Sequence, residues 1–299
     1  MRILLTGAGG QLGRELRPKL AMLGELFPAD RSLCDLSSPQ SIRTAVAQAR
    51  PTVIVNAAAY TAVDQAEGQR ELAYAVNRDG ARLLAEEARE LGAMFVHYST
   101  DYIFDGRKQA PYREEDATAP LNVYGASKLA SEREIAAVGG RYLILRTSWV
   151  YGPAGKNFLL TMRRLARERE ELRVVDDQVG APTSTLQLAD ATGSLVRRFA
   201  ESGAGEFPSG IYHATAAESV SWCGFARAIV RAVSEREKLE VKRIVAISTE
   251  EYPTPARRPL NSVLSNEKFE RTFGFRLGDW QTGMAEVIRE LYQREATGD

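Results

Sequence analysis

Two residues able to move charge, Tyr124 and Lys128, stand four apart in the stretch NVYGASKLASE, residues 122–132. At 3.6 residues per turn, positions i and i+4 share one helix face. Gly125, Ala126, Ser127 and Ala130 are small enough to leave that face open to a ligand. A phenol has an ordinary pKa of about 10, so it can hand a proton to an oxygen that is becoming alkoxide-like. An ammonium one turn away would stabilise the phenolate left behind. The plain alternative is a surface helix with a half-buried tyrosine and a lysine whose stem lies along apolar surface. A Tyr-x-x-x-Lys pair alone does not separate the two.

A second cluster is TGAGGQLG, residues 6–13, which spaces Gly7, Gly10 and Gly13 as G-x-x-G-x-x-G between an apolar run and a helical pattern. Glycine permits the tight turn and lets backbone N–H groups approach a pyrophosphate at the helix N-terminus. A glycine-rich turn with no ligand is the alternative, but the strand before it and the helix after it favour dinucleotide binding. Asp30, 23 residues after Gly7, falls near the end of the expected second strand, where a carboxylate would bond a ribose hydroxyl. Arg31 beside it could instead face a 2′-phosphate, so NAD versus NADP stays open. Asp35 and Leu36 in CDLSS lie where an adenine edge could be read, with a helix N-cap by Asp35 or Ser37 as the alternative. HYSTDYIFDG, residues 97–106, puts Ser99, Thr100 and Asp101 where a strand ends, and ligand crevices of open α/β sheets lie at that carboxyl edge.

The elements that must position these groups alternate. RILLTG (2–7), TVIVNAAA (52–59), MFVHYST (94–100) and YLILRTSWV (142–150) are short apolar runs, suited to parallel strands buried on both faces. GELFPAD (24–30) is a weaker candidate for the second strand. Residues 70–91 have helical apolar spacing, and Gly80 within them marks a close approach. The expected fold is α/β: a Rossmann-like doubly wound parallel sheet over residues 1–150, with a returning segment near 183–215. A smaller mixed α/β substrate-binding lobe is expected from 151–182 and 216–299, interleaved with the first. Lys+Arg and Asp+Glu both number 39 in 299 residues, so no global field draws the chain to nucleic acid or membrane. No apolar stretch reaches the ~18 residues of a membrane span. Cys34 and Cys223 have no metal-ligand spacing. The expected compartment is the cytoplasm.

With these pieces in order, the chain resembles the extended short-chain dehydrogenases/reductases, and within them the dTDP-4-dehydrorhamnose reductase family. The segments behind the narrower likeness are GAGGQLGREL, VIVNAAAYTAVDQAE, HYSTDYIFDG, PLNVYGASKLASE, LRTSWVYG, DDQVGAPT and YPTPARRPLNS, ending near residue 262. The resemblance implies reduction of the 4-keto group of a dTDP-linked 4-keto-6-deoxy sugar by NADPH, or NADH. It assigns Gly10, Gln11 and Leu12 to the pyrophosphate, Asp30, Asp35 and Leu36 to the adenosine, and Ala59, Tyr60 and Thr61 to the nicotinamide half. Thr100, Asp101 and Trp149 would meet the sugar. Asn157 and Arg258 would meet the nucleotide-diphosphate end, with Arg257 an alternative to its neighbour. Tyr124 becomes the acid, and Lys128 lowers its pKa and bonds the nicotinamide ribose. Thr100 donates to the carbonyl oxygen. His97 and His213 match no catalytic position and read as core histidines.

Two other readings stay on the same fold. One is a nucleotide-sugar epimerase or dehydratase that retains its cofactor. The other is a non-catalytic NADP-binding regulatory subunit of methionine adenosyltransferase. The family has also been associated with Mg²⁺ held by glutamates at a dimer interface. Glu15 and Glu290 match two such positions, but Leu186 stands where a third carboxylate belongs, and a hard cation wants several oxygens. The expectation is therefore a monomer or weak homodimer whose chemistry does not need Mg²⁺.

Overall fold

The computed structural model describes residues 1–202 and 207–298. Residues 203–206 of the returning segment, and residue 299, lie outside the described residues. In the first half, β1 (Arg2–Thr6), β2 (Glu25–Ala29), β3 (Val53–Asn56), β4 (Met94–Thr100) and β5 (Arg141–Thr147) alternate with α1 (Gln11–Ala21), α2 (Pro39–Ala49), α3 (Val63–Ala66), α4 (Arg70–Tyr74), α5 (Ala81–Glu90) and α6 (Val123–Val138). The second half adds β6 (Val150–Tyr151), α7 (Phe158–Glu168), β7 (Glu171–Val175), β8 (Val179–Gly180), β9 (Thr183–Ser184) and α8 (Thr185–Ser202). It continues through β10 (Gly210–His213), β11 (Val220–Ser221), α9 (Trp222–Ser234), β12 (Arg243–Ile247), α10 (Glu267–Phe273) and α11 (Trp280–Thr297).

The main sheet has the order β2-β1-β3-β4-β5-β10, with every pairing parallel. Side chains alternate across it as the pleat requires. Ile3, Leu5, Val53 and Val55 pack on Leu16 of α1 and Leu188 of α8, while Leu4, Ile54 and Phe95 pack on α2 and α5. Both faces are covered, which is why β3 and β4 are apolar or buried throughout. β2 was faint in sequence because it carries Pro28, a residue tolerated only at a sheet edge. Strand order reverses between β1 and β3, the switch point where α/β sheets open a crevice. A second apolar core, built on Leu159, Phe225, Ile229, Trp280 and Val287, lies among α7, α9 and α11.

The helical pattern of residues 70–91 is not one regular helix. Ala75–Gly80 form a π turn between α4 and α5. Gly80 is needed there because a Cβ would overlap the Leu36 carbonyl oxygen. The wider turn aims Asn77 at the chain after β3: its Oδ1 accepts from the Tyr60 backbone N–H at 2.8 Å, and its Nδ2 donates to Ser127 at 2.9 Å. Neither Asp35 nor Ser37 caps α2, contrary to the alternative weighed for them. Ser38 does, accepting from the Ser41 N–H at 3.3 Å, because Asp35 already accepts from the Ser37 N–H and hydroxyl.

Candidate active site

A cleft of about 810 Å³ crosses the carboxyl edges of β1, β3, β4 and β5. At one end is the turn between β1 and α1. Gly7 sits at φ +68°, and a Cβ there would lie 2.6 Å from the Ala58 nitrogen. A Cβ on Gly13 would overlap the Gly7 carbonyl, so Gly13 lies behind the cleft and holds the turn tight. Gly10, exposed, is the N-cap of α1 and brings no side-chain cap. The first N–H groups of α1 are therefore offered toward the cleft, a fit for a pyrophosphate. Gln11 is fastened from the far side: it donates to the Lys156 carbonyl and accepts from Asn157, each at 3.0 Å.

Farther along that wall stand Asp30, Arg31, Asp35 and Leu36. The Asp30 carboxylate accepts from the Ser32 hydroxyl and N–H, which hold it below the usual range. Arg31 lies 3.3 Å from Asp35, and its guanidinium stays exposed. Ala59, Tyr60 and Thr61 line the middle.

At the other end Asn122 caps α6, accepting from the Gly125 N–H at 2.8 Å, and Gly125 presses so closely on the Tyr102 carbonyl that no Cβ would fit. That contact sets the Tyr124 ring edge-on to Tyr102, centroids 5.9 Å apart. Thr100 donates to Asp101 at 3.0 Å and accepts from the Tyr102 N–H. Asp101 Oδ2 and Thr147 Oγ1 are buried on this wall without a hydrogen bond among the described residues. Burial pushes the Asp101 carboxyl up to about 6. Burial, with the Asp101 charge, also pushes the Tyr124 phenol up to about 12. The expected lowering of the phenol by Lys128 is thus absent from this state. The lysine is itself enclosed, and burial draws its amine down to about 7.

Trp149 lines the cleft with its backbone at φ +49°. Its ring stacks on Trp222 at 3.5 Å between centroids and 5° between planes, and Gly180 leaves the space that a Cβ would take 2.5 Å from the indole. Trp222, which also lines the cleft, was missed in sequence. It follows a capping serine at the start of a helix, where nothing distinguishes it from a core aromatic.

Three expected residues are not on the cleft wall: Gly13, Asn157 and Arg258. Asn157 caps α7, accepting from the Leu160 N–H at 3.0 Å, and donates to the Gly152 carbonyl. The Arg258 guanidinium is held by Asp64 at 2.8 Å and by Thr254. The expected metal positions are also taken. Arg294 places its fork on both oxygens of Glu15, at 3.0 and 2.8 Å, and its Nε on Glu290 at 2.8 Å. Leu186 packs against the second core. A guanidinium stands where a cation would be bound, so these residues do not fit Mg²⁺. No group of three metal-ligating side chains exists among the described residues. His213 is a core histidine, bonded to the Ser265 carbonyl at 3.1 Å. His97 is buried too, but it touches Lys128.

A family model described as the RmlD substrate binding domain matches residues 1–293. The dTDP-4-dehydrorhamnose reductase of Burkholderia thailandensis is 51% identical over 97% of this chain and 99% of its own length. That of Escherichia coli K12 is 44% identical over 99% and 100%. Among solved structures, dTDP-4-dehydrorhamnose reductase from Bacillus anthracis in complex with NADP superposes with a TM-score of 0.89 at 36% identity, covering 97% of this chain and 99% of the other.

Proposed function

This chain belongs to the RmlD substrate binding domain family, and on that premise we propose that its cleft is the active site of a nicotinamide-dependent sugar reductase. The chain reduces the 4-keto group of dTDP-4-dehydro-β-L-rhamnose, giving dTDP-L-rhamnose for rhamnose-containing polysaccharide. The observation that carries the assignment to this cleft is its continuity: one crevice runs from the uncapped N-terminus of α1 to Thr100, Tyr124 and Lys128.

When bound, NADPH, or NADH, would supply the hydride for the carbonyl carbon. The α1 N–H groups would hold its pyrophosphate, and Asp30, Arg31 and Asp35 would receive the adenosine ribose. Tyr124 gives its phenolic proton to the oxygen that gains charge, and Thr100 donates a hydrogen bond to the same oxygen. Asp101, with its unpartnered Oδ2, receives a sugar hydroxyl. The stacked Trp149–Trp222 pair presents an apolar wall against the sugar ring. Lys128, when charged, steadies the tyrosinate and bonds the cofactor ribose. Asn157 and Arg258, expected at the nucleotide-diphosphate end, stand off the wall of this cleft, and the Glu15–Arg294–Glu290 cluster is paired within one chain. We place the enzyme in the cytoplasm, in keeping with its two free buried cysteines; no helix among the described residues is long and apolar enough to cross a membrane. The test is loss of NADPH absorbance on adding the dTDP-linked keto-sugar. NADPH binding without turnover on any nucleotide keto-sugar would overturn the reading.

A further inference from the structure

Lys128 Nζ lies 2.9 Å from His97 Nε2, and both side chains are buried. Two nitrogens so placed share one hydrogen, so one donates and the other accepts. Which does which is decided on the far side of the ring. The Ala58 backbone N–H donates to Asn56 Oδ1 at 3.2 Å, and the Thr6 hydroxyl donates to the same oxygen at 2.6 Å. A backbone N–H can only donate, so the Asn56 carboxamide cannot be turned over, and its Nδ2 faces His97 Nδ1 at 3.0 Å. An amide nitrogen also only donates, so His97 Nδ1 accepts. The imidazole hydrogen then sits on Nε2. An imidazolium is excluded, because it would set N–H against N–H at Asn56, and burial pulls the ring well below its ordinary range. Ser131, 3.2 Å away, can take part of that hydrogen, since its own goes to the Lys128 carbonyl. An ammonium cannot, for it has no lone pair.

We infer that Lys128 rests as the uncharged amine in the cofactor-free protein, held so by the Asn56–His97 pair, and that binding of a reduced nicotinamide nucleotide is coupled to uptake of a proton by Lys128. His97 is thus a positioning residue that acts through the lysine. The inference rests on the proposed cofactor site. The other groups around Nζ are consistent with it. Glu132, one turn along α6, favours the ammonium, but its carboxylate is already gripped by Arg146 of β5 at 3.0 and 2.8 Å and by Ser99 of β4. Tyr124, one turn back, is held toward its neutral form, and Asp101, at the end of β4, though charged at pH 8 with its carboxyl raised to about 6, accepts its hydrogen bond from Thr100. Ribose hydroxyls can accept, so they offer the ammonium what His97 withholds. The proton comes from solvent. Once charged, the lysine brings down the phenol that burial had pushed up.

Calorimetric titration with NADH near pH 8, in buffers of different ionisation enthalpy, reads the proton count. NADH is used because it lacks the 2′-phosphate, which titrates by itself near neutrality. The expected result is uptake approaching one proton per site. Asn56→Asp should present an acceptor to His97 Nδ1, move the imidazole hydrogen there and leave Nε2 free to accept from an ammonium, so uptake should fall nearly to zero. Nitrogen NMR of His97 in the unaltered protein, which needs no variant to fold, should show the hydrogen on Nε2. Hydrogen on Nδ1, or NADH binding with no proton uptake, overturns the inference, as does equal uptake by the protein and a folded Asn56→Asp variant. Failure of NADH to bind overturns the cofactor site and the coupling with it, and the NMR then decides the state of Lys128 separately.

Discussion

Replacing Tyr124 with Phe removes one oxygen and leaves the ring in its edge-on contact with Tyr102 at 5.9 Å. The hydroxyl's hydrogen bond with Thr100 belongs to the site and does not build the fold: the cap of α6 is made by Asn122, and the glycine turn lies at the other end of the cleft. The lost function is proton donation. General acid catalysis is worth about 10²–10⁴ in rate, or roughly 3–5 kcal/mol of barrier. Thr100 stays in place to share charge on the oxygen, so the loss should fall short of complete. The expected result is a kcat at least about a hundredfold lower, with the NADPH Kd moved less than about tenfold, because the interaction is made only in the transition state. Lys128→Met should change both quantities, since its ammonium serves phenol and ribose together. Single-turnover NADPH oxidation with the dTDP-linked keto-sugar, beside cofactor titration by fluorescence, separates the two. A Phe variant that turns over like the wild type would show that another group is the acid.

Three further outcomes follow from the same structure. Arg31 is paired with Asp35 and Asp30 is bonded to Ser32, so neither dictates the ribose 2′ position. The kcat/KM values for NADPH and NADH should therefore agree within about a thousandfold, roughly 4 kcal/mol, and a larger gap in steady-state assays refutes this. Glu237 accepts hydrogen bonds from Arg167, Arg163 and Tyr292, which outweigh its burial and hold it down to about 2, against 4.5 unfolded. A depressed carboxyl contributes stability above its unfolded pKa and loses it as pH falls toward the native one. Chemical denaturation between about pH 5 and 2 should thus show the wild type losing about 3 kcal/mol more than Glu237→Gln, and parallel curves would sink the idea. Arg294 fills the space between Glu15 and Glu290, so EDTA or added Mg²⁺ should leave wild-type melting and turnover unchanged. Arg294→Ala, which strands the buried Glu15, should lower stability by about 3 kcal/mol and become Mg²⁺-responsive. Turnover abolished by EDTA and restored by Mg²⁺ in the wild type would contradict it.

The central strands were legible because burial on both faces favours short apolar runs, as in the ILL of β1, the VIV of β3 and the MFV of β4. The glycine turn and the Tyr124 helix were legible because each packs its chemistry into local spacing. What escaped notice depends on partners far apart in the chain. The bearing of His97 on Lys128 rests on a carboxamide 41 residues away, whose orientation only a backbone N–H reveals. Trp222 joins the cleft only by stacking on a residue from another strand end. Arg294 occupies the glutamate pair from a helix near the C-terminus. The π turn at Ala75–Gly80 keeps a nearly helical apolar period, so periodicity alone could not separate it from α4 and α5. The strands β6, β8, β9 and β11 are two residues each, too short for any period.

The parallel pairing of β10 with β5, Gly210 against Leu143, has a consequence for how the chain is made. Through much of synthesis β5 has no neighbour on its outer side, and its Leu143, Ile144 and Leu145, buried in the finished protein, stand at an open sheet edge. Such an edge is a template for strands of other chains, and it stays open until residue 213 has emerged and folded back. Non-local parallel closure is slow, so the period of exposure is set by both ribosome and topology. A nascent chain halted between β5 and β10 would hold most of the cofactor-facing turns and still aggregate through that edge, whereas extension past β10 would cap it.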